Sequence, residues 1–155
     1  MNTKNYSRTI SVNTTPDKAY QALTADIEHW WTKPDTPLTS VGDLAKFTFS
    51  PGKTFWIFEA TQLQPGKRVE MQCVKALHLH DAMPKVIEQE WLGTKVIWEI
   101  IRNSSHTDIR IEHIGLVPSL HCYEICEAGW DMFFVDSLKL YLNTGVGKPH
   151  QKPNH

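Results

Sequence analysis

Polar and apolar positions divide the chain into three regimes. The first regular stretch, Tyr6-Ser-Arg-Thr-Ile-Ser-Val12, alternates loosely and is rich in β-formers, which predicts a strand. Thr14-Thr15-Pro16-Asp17 then supplies a threonine to cap a helix, a proline suited to its first turn and an acid beside its free N–H groups. A helix over 16–24 is expected. A second short helix over 26–31 follows, broken by the two prolines of 32–37. From Gly42 to Leu116 the period becomes two. Runs over 45–49, 55–58 and 69–74, separated by Pro51-Gly52 and Pro65-Gly66, read as antiparallel strands joined by hairpins. Residues 78–90 are less regular. Residues 95–101 and 108–114 form the clearest strand pair, linked across Asn103-Ser-Ser-His106. In the second of these strands Ile109, Ile111 and His113 share one face while Arg110 and Glu112 share the other.

The third regime is helical. No proline occurs over 122–143, and Cys126, Trp130, Phe133, Phe134, Leu138 and Tyr141 recur at helical spacing as one apolar stripe. Gly145 stands where a helix-ending glycine belongs, and 146–155 reads as a flexible tail. The expected fold class is α+β in a single domain over 1–145. A curved antiparallel sheet of about six strands wraps a long C-terminal helix, with two short helices after the first strand and an apolar space between sheet and helix.

Composition narrows the function classes without choosing one. A chain of 155 residues suffices for one ordinary core, and 16 basic against 17 acidic side chains leave a formal charge of −1. That balance argues against an electrostatic nucleic-acid binder, and 41% hydrophobic residues argue against disorder. No run approaches a membrane span, and the start MNTKNYSRT lacks the apolar core of a signal peptide, so a cytoplasmic location is expected. Three cysteines read as reduced thiols.

Several stretches together resemble a known superfamily. They are Ser11-Val-Asn-Thr-Thr-Pro-Asp-Lys-Ala-Tyr-Gln-Ala-Leu23, Trp30-Trp31, Glu90-Trp-Leu-Gly-Thr94 with Val96-Ile-Trp-Glu-Ile100, and Glu112-His-Ile-Gly-Leu116. They look like the START-like, or SRPBCC, superfamily. More closely they resemble its branch related to the C-terminal domain of the activator of the heat-shock-protein-90 ATPase. The run from Gly115 through Cys126, then Gly129-Trp130, Ser137-Leu-Lys139 and Thr144-Gly-Val-Gly-Lys-Pro149, is similar to a bacterial subgroup of that branch. The resemblance implies a helix-grip fold around a hydrophobic cavity, a cavity the superfamily uses for lipids, hormones or polyketide intermediates.

Candidate ligand-contacting residues follow from the inward faces. They are Trp98, Ile111 and His113 from the strands, Trp130, Phe133, Phe134 and Tyr141 from the last helix, and Trp31 and Phe47 at the mouth. Large aromatics with a few polar tips suit a pocket for an apolar or aromatic small molecule, although each residue equally suits a plain core. His113 either bonds a ligand or is satisfied by a neighbouring group; as acid or base it would serve a cyclase or hydrolase using the same cavity. His78, His80 and Asp81 have a spacing that metal sites use, but nothing in the sequence identifies the other ligands, and Cys122 and Cys126 read as small core residues. No cofactor motif is present: GxSxG, P-loop, HExxH and GxGxxG are all missing. A third reading is an interaction module for a chaperone partner. Dimerisation through a strand edge or through exposed aromatics near Trp56 stays open.

Overall fold

The computed structural model describes residues 4–49, 54–80 and 83–150. The Pro51-Gly52 turn and Asp81, both singled out above, lie outside them. Strand β1 (Tyr6–Val12) is followed by helix α1 (Pro16–Thr24), in which Thr15 Oγ1 accepts from the Lys18 amide and Pro16 opens the first turn. The expected second helix is only a single 3-10 turn, Ile27–His29. Five strands then form a meander: β2 (Leu44–Phe49), β3 (Thr54–Gln64), β4 (Arg68–Leu77), β5 (Lys95–Arg102) and β6 (Thr107–Ile114). β1 closes the sheet by pairing antiparallel with β6, giving the order β1-β6-β5-β4-β3-β2.

The turn between β3 and β4 shows how local chemistry sets this topology. Pro65 fixes its own φ, Gly66 adopts φ +72°, and the Lys67 amide returns to the Gln64 carbonyl at 2.9 Å. That is the residue pattern a type II turn requires. Two register shifts in the β3–β4 pairing, between Ile57 and Phe58 and between Ala60 and Gln62, interrupt the ladder, the feature by which a sheet gains local bend and twist. Along β6, Thr107, Ile109, Ile111 and His113 face inward as expected, opposite Ile100, Trp98 and Val96 of β5 for the last three.

The concave face receives a continuous 22-residue helix. It begins as α2 (Tyr123–Trp130), continues as a π-wound stretch (Asp131–Leu138) and ends as α3 (Lys139–Thr144) at Gly145. The wider π turns occupy the middle of the stripe predicted for a regular helix, and Phe133, Phe134, Ser137 and Leu138 are its buried residues. β1 holds this helix from the side: Tyr6 donates its hydroxyl to Asp131 at 2.6 Å, and Arg8 pairs with Glu127 and Asp131, each at 3.1 Å.

The chain after the helix makes contacts that the sequence does not announce. Residues 146–150, read as the start of a flexible tail, run back along the body. The Lys148 amide donates to Ser137 Oγ at 2.8 Å and the His150 amide to the Trp31 carbonyl at 2.6 Å. Gly147 is required for this docking, because a Cβ there would sit 2.5 Å from the His29 carbonyl oxygen. Among the described residues, no helix is long and apolar enough to cross a membrane.

Candidate functional site

A cavity of about 220 Å³ lies between the concave sheet and α2. Its walls are aromatic: Trp31, Phe49, Trp56, Trp91, Trp130 and Phe133. Each comes from a different packing constraint. Trp31 is stacked at 4.5 Å on Phe47 and lies 4.9 Å from Trp130, so β2 and the helix fix it from two sides. Trp56, on the inner face of β3, stacks on Trp91 at 4.3 Å, and Trp91 lies parallel to Trp130 at 6.1 Å. Half-buried Leu79, Ile125 and Gly129 and exposed His80 form the rim. Gly129 leaves open space at its helix position, since a Cβ added there meets nothing within 4 Å.

Buried nitrogens without a partner concentrate at this cavity. Among the described residues, the side-chain nitrogens that are buried with no hydrogen-bond partner are Trp56 Nε1, His78 Nδ1, Trp91 Nε1 and Trp98 Nε1. The first three belong to residues that line the cavity. Buried polar nitrogens are nearly always paired, because leaving one unpaired costs about 1–3 kcal/mol, so their clustering around one cavity marks it as a place where a partner is missing.

His113 lies beneath the cavity and is fully satisfied. Trp130 donates its indole N–H to His113 Nδ1 at 3.0 Å, and His113 Nε2 lies 2.9 Å from Thr94 Oγ1. Thr94 in turn donates its hydroxyl to the Trp91 carbonyl at 2.6 Å, so it can only accept from the imidazole. One tautomer, protonated at Nε2, satisfies every bond in the chain. Burial disfavours the charged imidazole and lowers its pKa to about 3. Both nitrogens of His113 are thus engaged by protein groups, and the imidazole ties the Trp130 indole to Thr94 and the Trp91 backbone.

The structure thus separates the residues expected at the site. Trp31, Trp130 and Phe133 line the cavity. Phe47, Trp98, Ile111, His113 and Phe134 are fully buried outside its lining, in the core that supports it. Tyr141 stands at the other end of the helix, half-buried and stacked on His29 at 5.4 Å. Sequence reasoning did not place Trp56 and Trp91 at the cavity, nor His78 and Cys126, which it read as a candidate metal ligand and a core residue. Trp56 was considered for an exposed surface, yet it is buried, because β3 alternates inward at Thr54, Trp56, Phe58 and Ala60. Phe55, Trp56, Ile57 and Phe58 are all apolar, so the alternation carried no contrast to reveal its parity.

The expected histidine cluster also rearranges. β4 ends at Leu77, after which His78 turns inward and His80 reaches the rim. His78 meets Cys122 and Cys126: the imidazole and the two Sγ atoms offer ligand atoms all within 4.8 Å of one another, and the three residues are buried. Cys126 Sγ donates toward Cys122 Sγ at 2.9 Å. That contact lowers the Cys122 thiol and raises the Cys126 thiol, with burial adding to the rise and His78 assisting Cys122. Glu90 braces this corner by accepting from the amides of His121 and Cys122, each at 2.9 Å. Burial opposes its charge, but those amides outweigh it and hold the carboxyl below the ordinary range.

Solved structures of other proteins share this fold. The solution structure of the Aha1 dimer from Colwellia psychrerythraea matches with a TM-score of 0.73 and 29% identity, covering 92% of this chain and 98% of that one. Protein MLL2253 from Mesorhizobium loti matches at 0.68 and 22% identity, over 85% of this chain and 92% of that one. DynU16, a protein of the dynemicin biosynthetic locus, matches at 0.68 and 19% identity over 93% of this chain, which spans 49% of its length. The last two show the fold alone. No curated protein matches the chain. Residues 13–143 match the family described as Activator of Hsp90 ATPase homolog 1-like protein, and with that much of the sequence and the helix-grip architecture in agreement, the chain belongs to this family.

Proposed function

We propose that the protein binds a small aromatic or apolar molecule that carries a hydrogen-bond acceptor. The observation that supports this most directly is the indole N–H of Trp56, left unpaired in the wall of a largely apolar cavity. An apolar cavity of ~150 Å³ accommodates benzene. At about 220 Å³ this one has room for a substituted or fused ring. Ring faces gain dispersion and offset stacking against Trp31, Trp91 and Trp130, and a carbonyl or phenolic oxygen would satisfy an indole donor. Orientation therefore comes from a few polar points in an apolar enclosure, the usual division of labour in small-molecule sites.

Metal-free protein titrated with 2-naphthol and with naphthalene, read by tryptophan fluorescence, tests the proposal. Saturable quenching is expected for both, tighter for 2-naphthol, with the preference reduced in Trp56→Phe. Quenching that does not saturate, or that is equal for both compounds and indifferent to Trp56→Phe, would overturn it.

A further inference from the structure

We propose that His78, Cys122 and Cys126 form a binding site for a thiophilic divalent cation of the zinc class at the floor of the cavity. The three donors come from two segments far apart in sequence, the end of β4 and the start of α2, and converge within 4.8 Å. Two thiolates and a neutral imidazole are a soft donor set, and with a divalent ion their charges sum to zero, which is what a buried apolar site tolerates. Tetrahedral zinc, with Zn–S of about 2.3 Å, places its sulfurs roughly 3.8 Å apart. The two Sγ atoms, at 2.9 Å, therefore need to separate by about 0.9 Å, a displacement that rotation about a cysteine χ1 supplies.

Two further observations point to a ligand here. His78 is 7% exposed and its Nδ1 has no hydrogen-bond partner, although the Trp56 ring lies only 5.2 Å from its own. The segments that carry the donors are also pinned from outside. The His78 amide donates to the Glu88 carbonyl at 2.9 Å, and Glu90 holds the amides of His121 and Cys122. Such bracing orients ligands before the ion arrives. Cys126 and His78 line the cavity, so an ion between them would be reached through its mouth and would present its fourth position to the cavity. Three protein ligands and one open position is the arrangement of a reactive zinc site, whereas a purely structural site is closed by four.

Cobalt(II) is the probe, added to fully reduced, metal-stripped full-length protein. Binding of one equivalent is expected, with sulfur-to-cobalt charge-transfer absorption and the visible bands of a tetrahedral ion, bleached by one equivalent of zinc. Cys122→Ser and Cys126→Ser should each weaken the charge-transfer band by about half, and His78→Gln should weaken binding by more than the roughly 10–100-fold cost of losing an outer-shell partner. A variant that fails to fold is bypassed in the native protein. There zinc should protect Cys122 and Cys126 from iodoacetamide, as read by peptide mass spectrometry, with Cys73 as the internal reference. Cobalt bound without charge-transfer absorption, binding unchanged in Cys122→Ser and His78→Gln, or thiols that react at the same rate with and without zinc would each refute the site. None of these readouts depends on 2-naphthol, so the cation site and the aromatic-ligand reading fail separately.

Discussion

Trp130 and His113 are joined by a 3.0 Å hydrogen bond from the indole N–H to Nδ1, across the interface between the helix and β6. This bond orients the Trp130 wall of the cavity; its continuation through Thr94 reaches the Trp91 backbone carbonyl, and the Trp91 ring meets the imidazole edge-on at 4.5 Å. The polar core therefore serves the cavity from below while its own groups stay out of it.

The relay makes His113 a source of acid sensitivity. Its folded pKa of about 3 lies below the unfolded value of about 6.5, so the unfolded chain binds the extra proton. The neutral imidazole imposes no penalty above pH 6.5. Stability then falls as the pH drops from about 6.5 toward 3, by at most about 1.4 kcal/mol per pH unit from this group. Urea midpoints measured between pH 7 and 5 should show that slope, and His113→Gln should flatten it. A slope unchanged in the variant would assign it to other histidines. In NMR spectra the His113 imidazole nitrogens should keep constant shifts over pH 5–8.

Thr94→Val keeps the shape of the side chain but removes the acceptor for His113 Nε2–H. An unpaired donor would then be buried with His113, at a cost of about 1–3 kcal/mol. Chemical denaturation measures it. A loss below about 0.5 kcal/mol would show that the imidazole finds another acceptor.

Gly129→Leu fills the rim of the cavity from a helix position with open space around it. Replacing glycine inside a helix gains about 0.5–1 kcal/mol of propensity. Binding of 2-naphthol should therefore fall at least tenfold while the melting temperature holds or rises. Undiminished binding at unchanged stability would place the ligand elsewhere.

Ser137→Ala cuts two bonds at once, the one that Ser137 Oγ donates to the Trp30 carbonyl and the one it accepts from Lys148. The expected outcome is a loss of about 1–3 kcal/mol and faster hydrogen exchange at the Lys148 and His150 amides. Exchange at Lys148 that matches the parent protein would mean that Gly147 packing alone holds the segment.

Legibility in the sequence followed the range of the forces involved. Threonine cap and proline at 15–16, the Pro65-Gly66 turn, the alternation of β6 and the helical stripe after Cys122 are local. Each depends on steric limits or on one element's periodicity, and each stands in the structure. The inward face of His113 was fixed by the same alternation. What the chain could not announce was the partner of each inward side chain. Strand β3, apolar on both faces, hides its parity until β2 and β4 flank it, and only then does Trp56 turn toward the cavity.

Meetings between distant segments belong to the tertiary structure alone. His78 and Cys122 are brought together because α2 lies across the concave sheet at the end of β4, and no spacing in the sequence encodes that crossing. The same holds for the π-wound stretch and the docking of 146–150. Ser137 gains both of its partners only when packing presents the Trp30 carbonyl and the Lys148 amide to it. The amino-acid sequence by itself determined the elements and their apolar faces, because these arise from backbone sterics and periodicity within a few residues. The tertiary structure decided which aromatics enclose space and which fill it, because that depends on how faces from separate elements close on one another.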